Sequence, residues 1–173
     1  MSLIVSGDSP SFSGTYQGGV ITSGTAQVTT SGTAIDFTGI PSWVKRITVM
    51  FNGVSTNGVS LPLIQIGAGA VLTTGYSGSA SQNGGSTVYV LYSSGFSIYS
   101  NNSAFYIYGQ MVLTNVSGNV WCAMHSCGTT GTGYTLNGGG SVTLPGTLDR
   151  IRLTTVNGTD TFDTGSVNIL YEG

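Results

Sequence analysis

The sequence predicts an all-β fold: an antiparallel β-sandwich or jelly-roll knob of about eight to ten strands. Three observations carry this. Apolar residues recur with a period of two in short stretches, and turn signals built from Gly, Asn, Asp and Pro separate those stretches every eight to twelve residues or so. No segment combines a helical period with helix caps. No fixed-length internal repeat runs through the chain, which sets propellers and solenoids aside.

The stretch from Ile35 to Gly58, IDFTGIPSWVKRITVMFNGVSTNG, organises the rest. Pro41 fixes its own φ and pushes Ile40 towards an extended conformation, so GIPSW reads as a stiff bend after a short strand, Ala34–Phe37. Beyond the bend, Lys45, Ile47, Val49 and Phe51 alternate with Val44, Arg46, Thr48 and Met50. The second set is only half polar. That pattern predicts a central strand with one core face and one covered face, ending at the polar turn NGVSTNG.

The other elements follow from the same reasoning. Residues 1–33 are rich in Ser, Gly and Thr and read as a linker or arm, with short strands possible at Gly19–Thr22 and Ala26–Thr30. Residues 34–173 read as the sandwich. Leu61–Ile66 and Ala70–Tyr76 form a hairpin across Gly67-Ala68-Gly69, with Pro62 at a strand start. Gly78–Ser86 reads as a loop, and the strands Val88–Tyr92, Phe96–Tyr99 and Ala104–Val116 follow it. In the last of these, Phe105, Ile107, Met111 and Leu113 share one parity, while Tyr106, Tyr108 and Val112 share the other. Asn119–Cys127 is a further strand, Gly128–Gly140 a second glycine-rich loop, and Ser141–Leu144 a short strand. In the tail, Ile151 and Leu153 alternate with Arg150 and Arg152. Turns are expected at Val156-Asn157-Gly158 and at Asp163-Thr164-Gly165, before Val167, Ile169 and Tyr171 close the sheet.

Composition bounds the function. At 173 residues the natural count is one domain, with chain enough for a sizeable core. Only 6% of residues are charged, and 28 are Gly. With 39% hydrophobic content, this balance is the reverse of that in disordered chains. So few charges leave solubility to Ser, Thr, Asn and Gly, or to burial of surface in an oligomer. Four scattered basic residues cannot build a phosphate-tracking patch, so nucleic acid is not an expected partner. No run approaches the roughly 18 apolar residues of a spanning helix, and the first residues lack the pattern of a secretory signal. Met1-Ser2-Leu3 and Glu172-Gly173 read as cloning scars on a domain cut from a longer chain.

No residue set reads as catalytic or metal-binding, and no cofactor is expected. Cys122 and Cys127 lie five residues apart on one predicted strand. Their Cα atoms would be about 16 Å apart and their side chains on opposite faces, so both should be free thiols, one of them buried. His125 completes a C-x2-H-x-C run, but Cys122 has the wrong parity and there is no second ligand cluster, which argues against zinc. No G-x-S-x-G nucleophile elbow occurs. Asp160 and Asp163 could flank a sugar, but NGTDTFDTG is dense in turn signals, and Asp in such positions normally bonds nearby backbone. Asp149, beside Arg150 and Arg152, fits a cross-strand or intersubunit ion pair. The triplets at Asn101, Asn115 and Asn157 match the glycosylation acceptor pattern only as such a composition does by chance. Aromatic rings among Asn, Ser and Gly suit sugar binding, because a ring stacks on C–H faces while amides bond hydroxyls. Tyr76, Tyr92, Tyr99 and Tyr134 adjoin the expected loops and are the best candidates, set against core or interface packing for each.

The segment IDFTGIPSWVKRITVMFNGVSTNG, then LIQIG, a GY-containing loop and the terminal LDRIRLTTVNGTDTFDTGSVNILYE resemble C-terminal domains of bacteriophage tail fibres and related prophage tail proteins. The resemblance covers roughly Ala34 to Tyr171 and is best at the two ends. It implies a β-sandwich knob at the tip of a homotrimeric fibre in the virion, attaching without catalysis to a host surface glycan or outer-membrane protein. No set of binding residues comes with it. The two glycine-rich loops are the expected contact surface, which adds Ser81, Gln82, Asn83 and Asn137 to the tyrosines. Two alternatives belong to other classes: a purely structural trimerisation or decoration module of a virion, and a polysaccharide depolymerase using Asp160 and Asp163. A cellular lectin, or a trimeric ligand of the TNF or C1q type, is open on fold alone.

Overall fold

The computed structural model describes residues 20–130 and 133–173. It is an all-β sandwich of fourteen strands in two antiparallel sheets, with no helix among the described residues. The strands are β1 (Ile21–Ser23), β2 (Gln27–Val28), β3 (Ala34–Thr38), β4 (Arg46–Thr56), β5 (Pro62–Ala68), β6 (Ala70–Val71) and β7 (Ser77–Gly84). Then come β8 (Ser86–Tyr92), β9 (Phe96–Ser97), β10 (Ile107–Ser117), β11 (Val120–Thr129), β12 (Thr135–Thr143), β13 (Arg150–Thr155) and β14 (Phe162–Glu172). The large sheet has nine strands in the order β1-β14-β4-β10-β11-β12-β7-β8, with β2 also on β14. The small sheet has five, in the order β3-β13-β5-β6, with β9 also on β5. No helix is long and apolar enough to cross a membrane among the described residues.

The period-two pattern fills the core. Ile47, Val49 and Phe51 of β4, Met111 and Leu113 of β10 and Val167 and Ile169 of β14 point inward from the large sheet. Ile35 and Phe37 of β3, Ile64 and Ile66 of β5 and Ile151 and Leu153 of β13 meet them from the small one in a single cluster. Each fully buried Ile or Leu contributes about 2 kcal/mol, so the cluster is the main source of stability. The apolar run of β5 has its own cause. The segment after β8 covers its second face, where Leu63 is buried and the Gln65 side-chain amide donates to the Ser94 carbonyl at 2.9 Å. A strand covered on both faces loses its alternation.

β4 lies inside the large sheet, between β14 and β10, as its pattern predicts. It ends inside NGVSTNG, at Thr56, rather than at the start of that segment. Gly53, at φ 68°, forms a bulge there, and the strand continues to Thr56. A matching irregularity in β14 replaces the turn expected at Asp163-Thr164-Gly165, with Gly165 at φ 94°. The two glycines are stacked: a Cβ on Gly165 would meet the Gly53 carbonyl. Asn-Gly and Thr-Gly pairs signal a positive φ, and a bulge satisfies that demand as well as a turn does.

Four further differences concern boundaries. The Gly78–Ser86 segment is not a loop; it is β7 and the tight Gly84-Gly85 turn into β8. Most of Gly128–Gly140 is likewise strand, since β11 runs to Thr129 and β12 starts at Thr135. Gly131 and Thr132 lie outside the described residues. Beyond Val20, the expected arm is part of the large sheet: β1 and β2 both pair with β14, and Thr29 is fully buried. Residues 1–19 of that arm lie outside the described residues. Glu172 ends β14 and Gly173 exchanges backbone hydrogen bonds with Val20, so the last two residues belong to the sheet. Strands of two or three residues (β1, β2, β6 and β9) take the count above the expected range, because a period of two cannot be read from two residues.

Candidate functional site

The two sheets differ sharply on their outer faces. On the small sheet the outer face is charged. Arg152 donates twice to Asp36 across the β13–β3 ladder, at 2.7 and 2.8 Å, and Arg150 donates twice to its neighbour Asp149. The Arg150 guanidinium holds the Asp149 carboxyl below its usual range. This is a solvated surface: Asp149, expected in a cross-strand or intersubunit pair, bonds its sequence neighbour Arg150, and the cross-strand pair is Asp36–Arg152, which the sequence reading did not single out.

The outer face of the large sheet is different. The strand registers place Asn168, Met50, Gln110, Ser126, Asn137, Ser81 and Tyr89 side by side in one row across seven strands. On one side runs the row Leu170, Thr48, Val112, Met124, Gly139, Ser79 and Leu91; on the other runs Ser166, Asn52, Tyr108, Gly128, Thr135, Asn83 and Thr87. None of these residues is charged. Charge returns only in the next row, where Arg46 lies 3.8 Å from Glu172. At the usual strand spacing and rise, the uncharged area is roughly 30 Å by 20 Å. Tyr89 (73% exposed), Met124 (63%) and Tyr108 (42%) stand out from it. It therefore offers hydroxyls, carboxamides and a few apolar surfaces on a rigid sheet.

Three of the sequence-predicted candidates come together here. The Asn83 amide donates to the Ser81 hydroxyl at 3.3 Å, and the Ser81 hydroxyl donates to the Asn137 carbonyl at 3.3 Å. Thr87 donates to the Asn83 side-chain carbonyl at 3.0 Å, tying β8 into the same network. The three residues lie on strands, not on loops, and hydrogen bonds hold the Ser81 and Asn83 side chains in place.

The other five are elsewhere. Tyr76 is buried, and its hydroxyl accepts the Ile66 N–H at 2.8 Å and donates to the Ile66 carbonyl at 3.2 Å. It serves as a surrogate strand on the edge of β5 between the short pairings with β6 and β9, and burial pushes its pKa up to about 12. Tyr92 is buried edge-on to Phe96 at 6.3 Å, with burial raising its pKa to about 12. Its hydroxyl sits where a Cβ on Gly78 or Gly140 would be. Tyr99 is half-buried against the core, and Tyr134 packs edge-on to Phe105 at 5.6 Å. Gln82 points inward from β7, with its Oε1 buried and unpartnered. Tyr76, Tyr92 and Gln82 are therefore packing residues and not contact residues. A tyrosine beside glycines has room either to stand out or to fold in over the missing side chains, and Tyr92 folds in over Gly78 and Gly140.

Sequence reasoning missed Tyr89, Tyr108, Gln110 and Ser126. Their strands and parities were readable, but only the register shows that Tyr89, Gln110 and Ser126 share one row and that Tyr108 lies in the next. Asp160 is built into its turn: one carboxylate oxygen accepts the Ser60 N–H at 2.9 Å and the other accepts the Asn157 amide at 2.7 Å. Both cysteines are free thiols on β11, Cys127 buried and Cys122 half-buried on the opposite face. Among the described residues no three His, Cys, Asp or Glu side chains are grouped to hold a metal ion.

Fold and face together define an all-β sandwich with a charge-free, hydroxyl- and amide-rich sheet surface. No family model matches the chain, and neither does any curated protein or solved structure.

Proposed function

We propose that this chain is a non-enzymatic attachment module at the tip of a bacteriophage tail fibre, acting as a homotrimer in the virion. Its contact surface is the outer face of the large sheet, and its target is a host-surface glycan or outer-membrane protein. The observation that carries this reading is the uncharged row Gln110–Ser126–Asn137–Ser81–Tyr89. Neutral sugars are held by carboxamides and hydroxyls that bond their hydroxyl groups, and by rings that stack on their C–H faces. A sheet face supplies both at fixed spacing, so little ordering entropy is lost on binding. Each site would be weak, and three held on one fibre would bind together through effective concentration.

A structural role, as a trimerisation cap or decoration module, draws support from the same lack of charge, because surface buried between copies also lacks charge. A depolymerase role needs Asp160 free to exchange a proton, and its carboxylate is occupied by Ser60 and Asn157.

The test is binding of the purified protein to susceptible and resistant cells, alongside a glycan array, for the native chain and for Tyr89→Ala with Asn137→Ala. The attachment reading expects binding to susceptible cells only, and at least a tenfold loss in the double variant. Equal binding to both cell types, or none, supports the structural role. Release of reducing ends from host polysaccharide, abolished by Asp160→Asn, would replace both.

A further inference from the structure

Charge is scarce in this chain, yet it gathers at one place on the small sheet. Of the four basic residues, two stand side by side on the outer face of β13: Arg150 and Arg152, with Ile151 between them buried in the core. At the usual strand rise their Cα atoms are about 7 Å apart. From β3, Thr38 lies opposite Arg150 and Asp36 lies opposite Arg152. The β5–β6 turn closes the other side with Ala70 and Val71, and the pocket so enclosed has a volume of about 240 Å³.

The fold accounts for Arg152 but not for Arg150. Arg152 ties β13 to β3 through Asp36. Arg150 bonds its own sequence neighbour, Asp149, which already holds the β5–β6 turn by accepting the Gly69 N–H at 3.1 Å. The Arg150 pair joins no two strands, and an exposed ion pair adds little to stability. A second guanidinium beside the first therefore brings like-charge repulsion with little return to the fold.

Donor geometry says what the two can hold together. A guanidinium has five N–H donors. Each arginine gives its Nε and Nη2 to an aspartate, which leaves the edge formed by Nη1 and Nη2 without an acceptor among the described residues. That edge carries two parallel donors and matches a carboxylate or a phosphate. The aspartates decide between these. Two arginines and two aspartates sum to no net charge, and a dianionic phosphate would sit beside both carboxylates. A single carboxylate gains the same donors with less repulsion.

We propose that this pocket binds the carboxylate of a sugar acid. The carboxylate meets the open edges of Arg150 and Arg152. Hydroxyls next to it donate to the remaining lone pairs of Asp36 and to the Thr38 hydroxyl, and the ring lies against Ala70 and Val71. The volume falls short of the roughly 300 Å³ at which pockets for drug-sized ligands begin, and it suits a single sugar ring. The site is separate from the uncharged face of the large sheet and does not depend on the attachment reading.

The experiment titrates glucuronate into the full chain and follows the arginine Nε–H signals by NMR. Glucose, the methyl ester of glucuronate, acetate and inorganic phosphate are compared at the same ionic strength. Arg46, on β4 of the other sheet, is the remaining arginine and serves as an internal control. Glucuronate should shift the Arg150 and Arg152 signals saturably at millimolar concentration and leave Arg46 in place, while glucose and the ester shift none of them. Equal shifts at all three arginines, or shifts that rise without saturating, would mean non-specific ion pairing and overturn the proposal. Phosphate binding more tightly than glucuronate would overturn the choice of a carboxylate, and acetate binding as tightly would overturn the sugar. Arg150→Gln, at a solvent-facing position, should keep the native circular dichroism spectrum and weaken glucuronate binding at least tenfold. Arg150→Lys keeps the charge but loses the paired donors, and should weaken it at least threefold. Native affinity in either folded variant would overturn the proposal.

Discussion

Acidification should weaken this fold through one residue, His125. It points inward from β11 with its ring against Gly138 of β12, and its Nε2 is buried without a hydrogen-bond partner. Burial disfavours the imidazolium and lowers the pKa to about 4 from an ordinary 6.5. Above pH 6.5 the folded and unfolded chains both carry neutral imidazole, and the full stability is present. As pH falls from 6.5 towards 4, the unfolded chain takes up a proton that the folded chain rejects, so stability drops. Below about pH 4 both forms are protonated and the loss is complete. A shift of this size corresponds to about 3 kcal/mol. The assay is urea denaturation at several pH values between 7.5 and 4, comparing the native chain with His125→Gln, which does not titrate. The native chain should lose about 3 kcal/mol more than the variant over that range. Parallel curves would refute the reasoning, because they would mean that the imidazole is hydrated or hydrogen-bonded in the folded protein.

Other outcomes follow from the same packing. Gly138→Ala puts a methyl group against the His125 ring and the Ser79 carbonyl, and should cost about 1–3 kcal/mol in urea denaturation. Gly165→Ala combines a positive φ with a clash at the Gly53 carbonyl and should cost at least about 2 kcal/mol; an unchanged melting temperature would show that the paired bulges relax freely. Tyr76→Phe leaves the Ile66 N–H without its acceptor and should cost about 1–3 kcal/mol, with host-cell binding per folded molecule unaltered. Asp36→Asn breaks an exposed pair and should change stability by no more than about 1 kcal/mol, less in high salt.

Fold class, core parity and the central place of β4 were legible in the sequence because alternation over five or more residues records which face meets the core. Ile47, Val49 and Phe51 carry that record, and so do Met111 and Leu113. Glycine-rich strands carry none. In β7 and β12 the inward positions include Gly78, Ala80, Gly138 and Gly140, small because Tyr92 and His125 lie over them, and such a segment looks like a loop. The binding candidates divided for a related reason. Ser81, Asn83 and Asn137 were placed in loops, yet the β7–β12 register brings them together on one face. Gln82, their neighbour in sequence, points the other way because side chains alternate across a strand. Tyr89 and Tyr108 joined the same surface through strand order, a long-range property that local pattern does not encode.

The most direct test of the central claim puts one charge in the middle of the uncharged face. Ser126 is exposed at the centre of the row between Gln110 and Asn137, clear of the core and of both sheet margins. Ser126→Glu should leave folding and solution mass unchanged while lowering binding to susceptible cells at least tenfold. Undiminished binding by a folded Ser126→Glu protein would contradict the assignment of this face as the attachment surface.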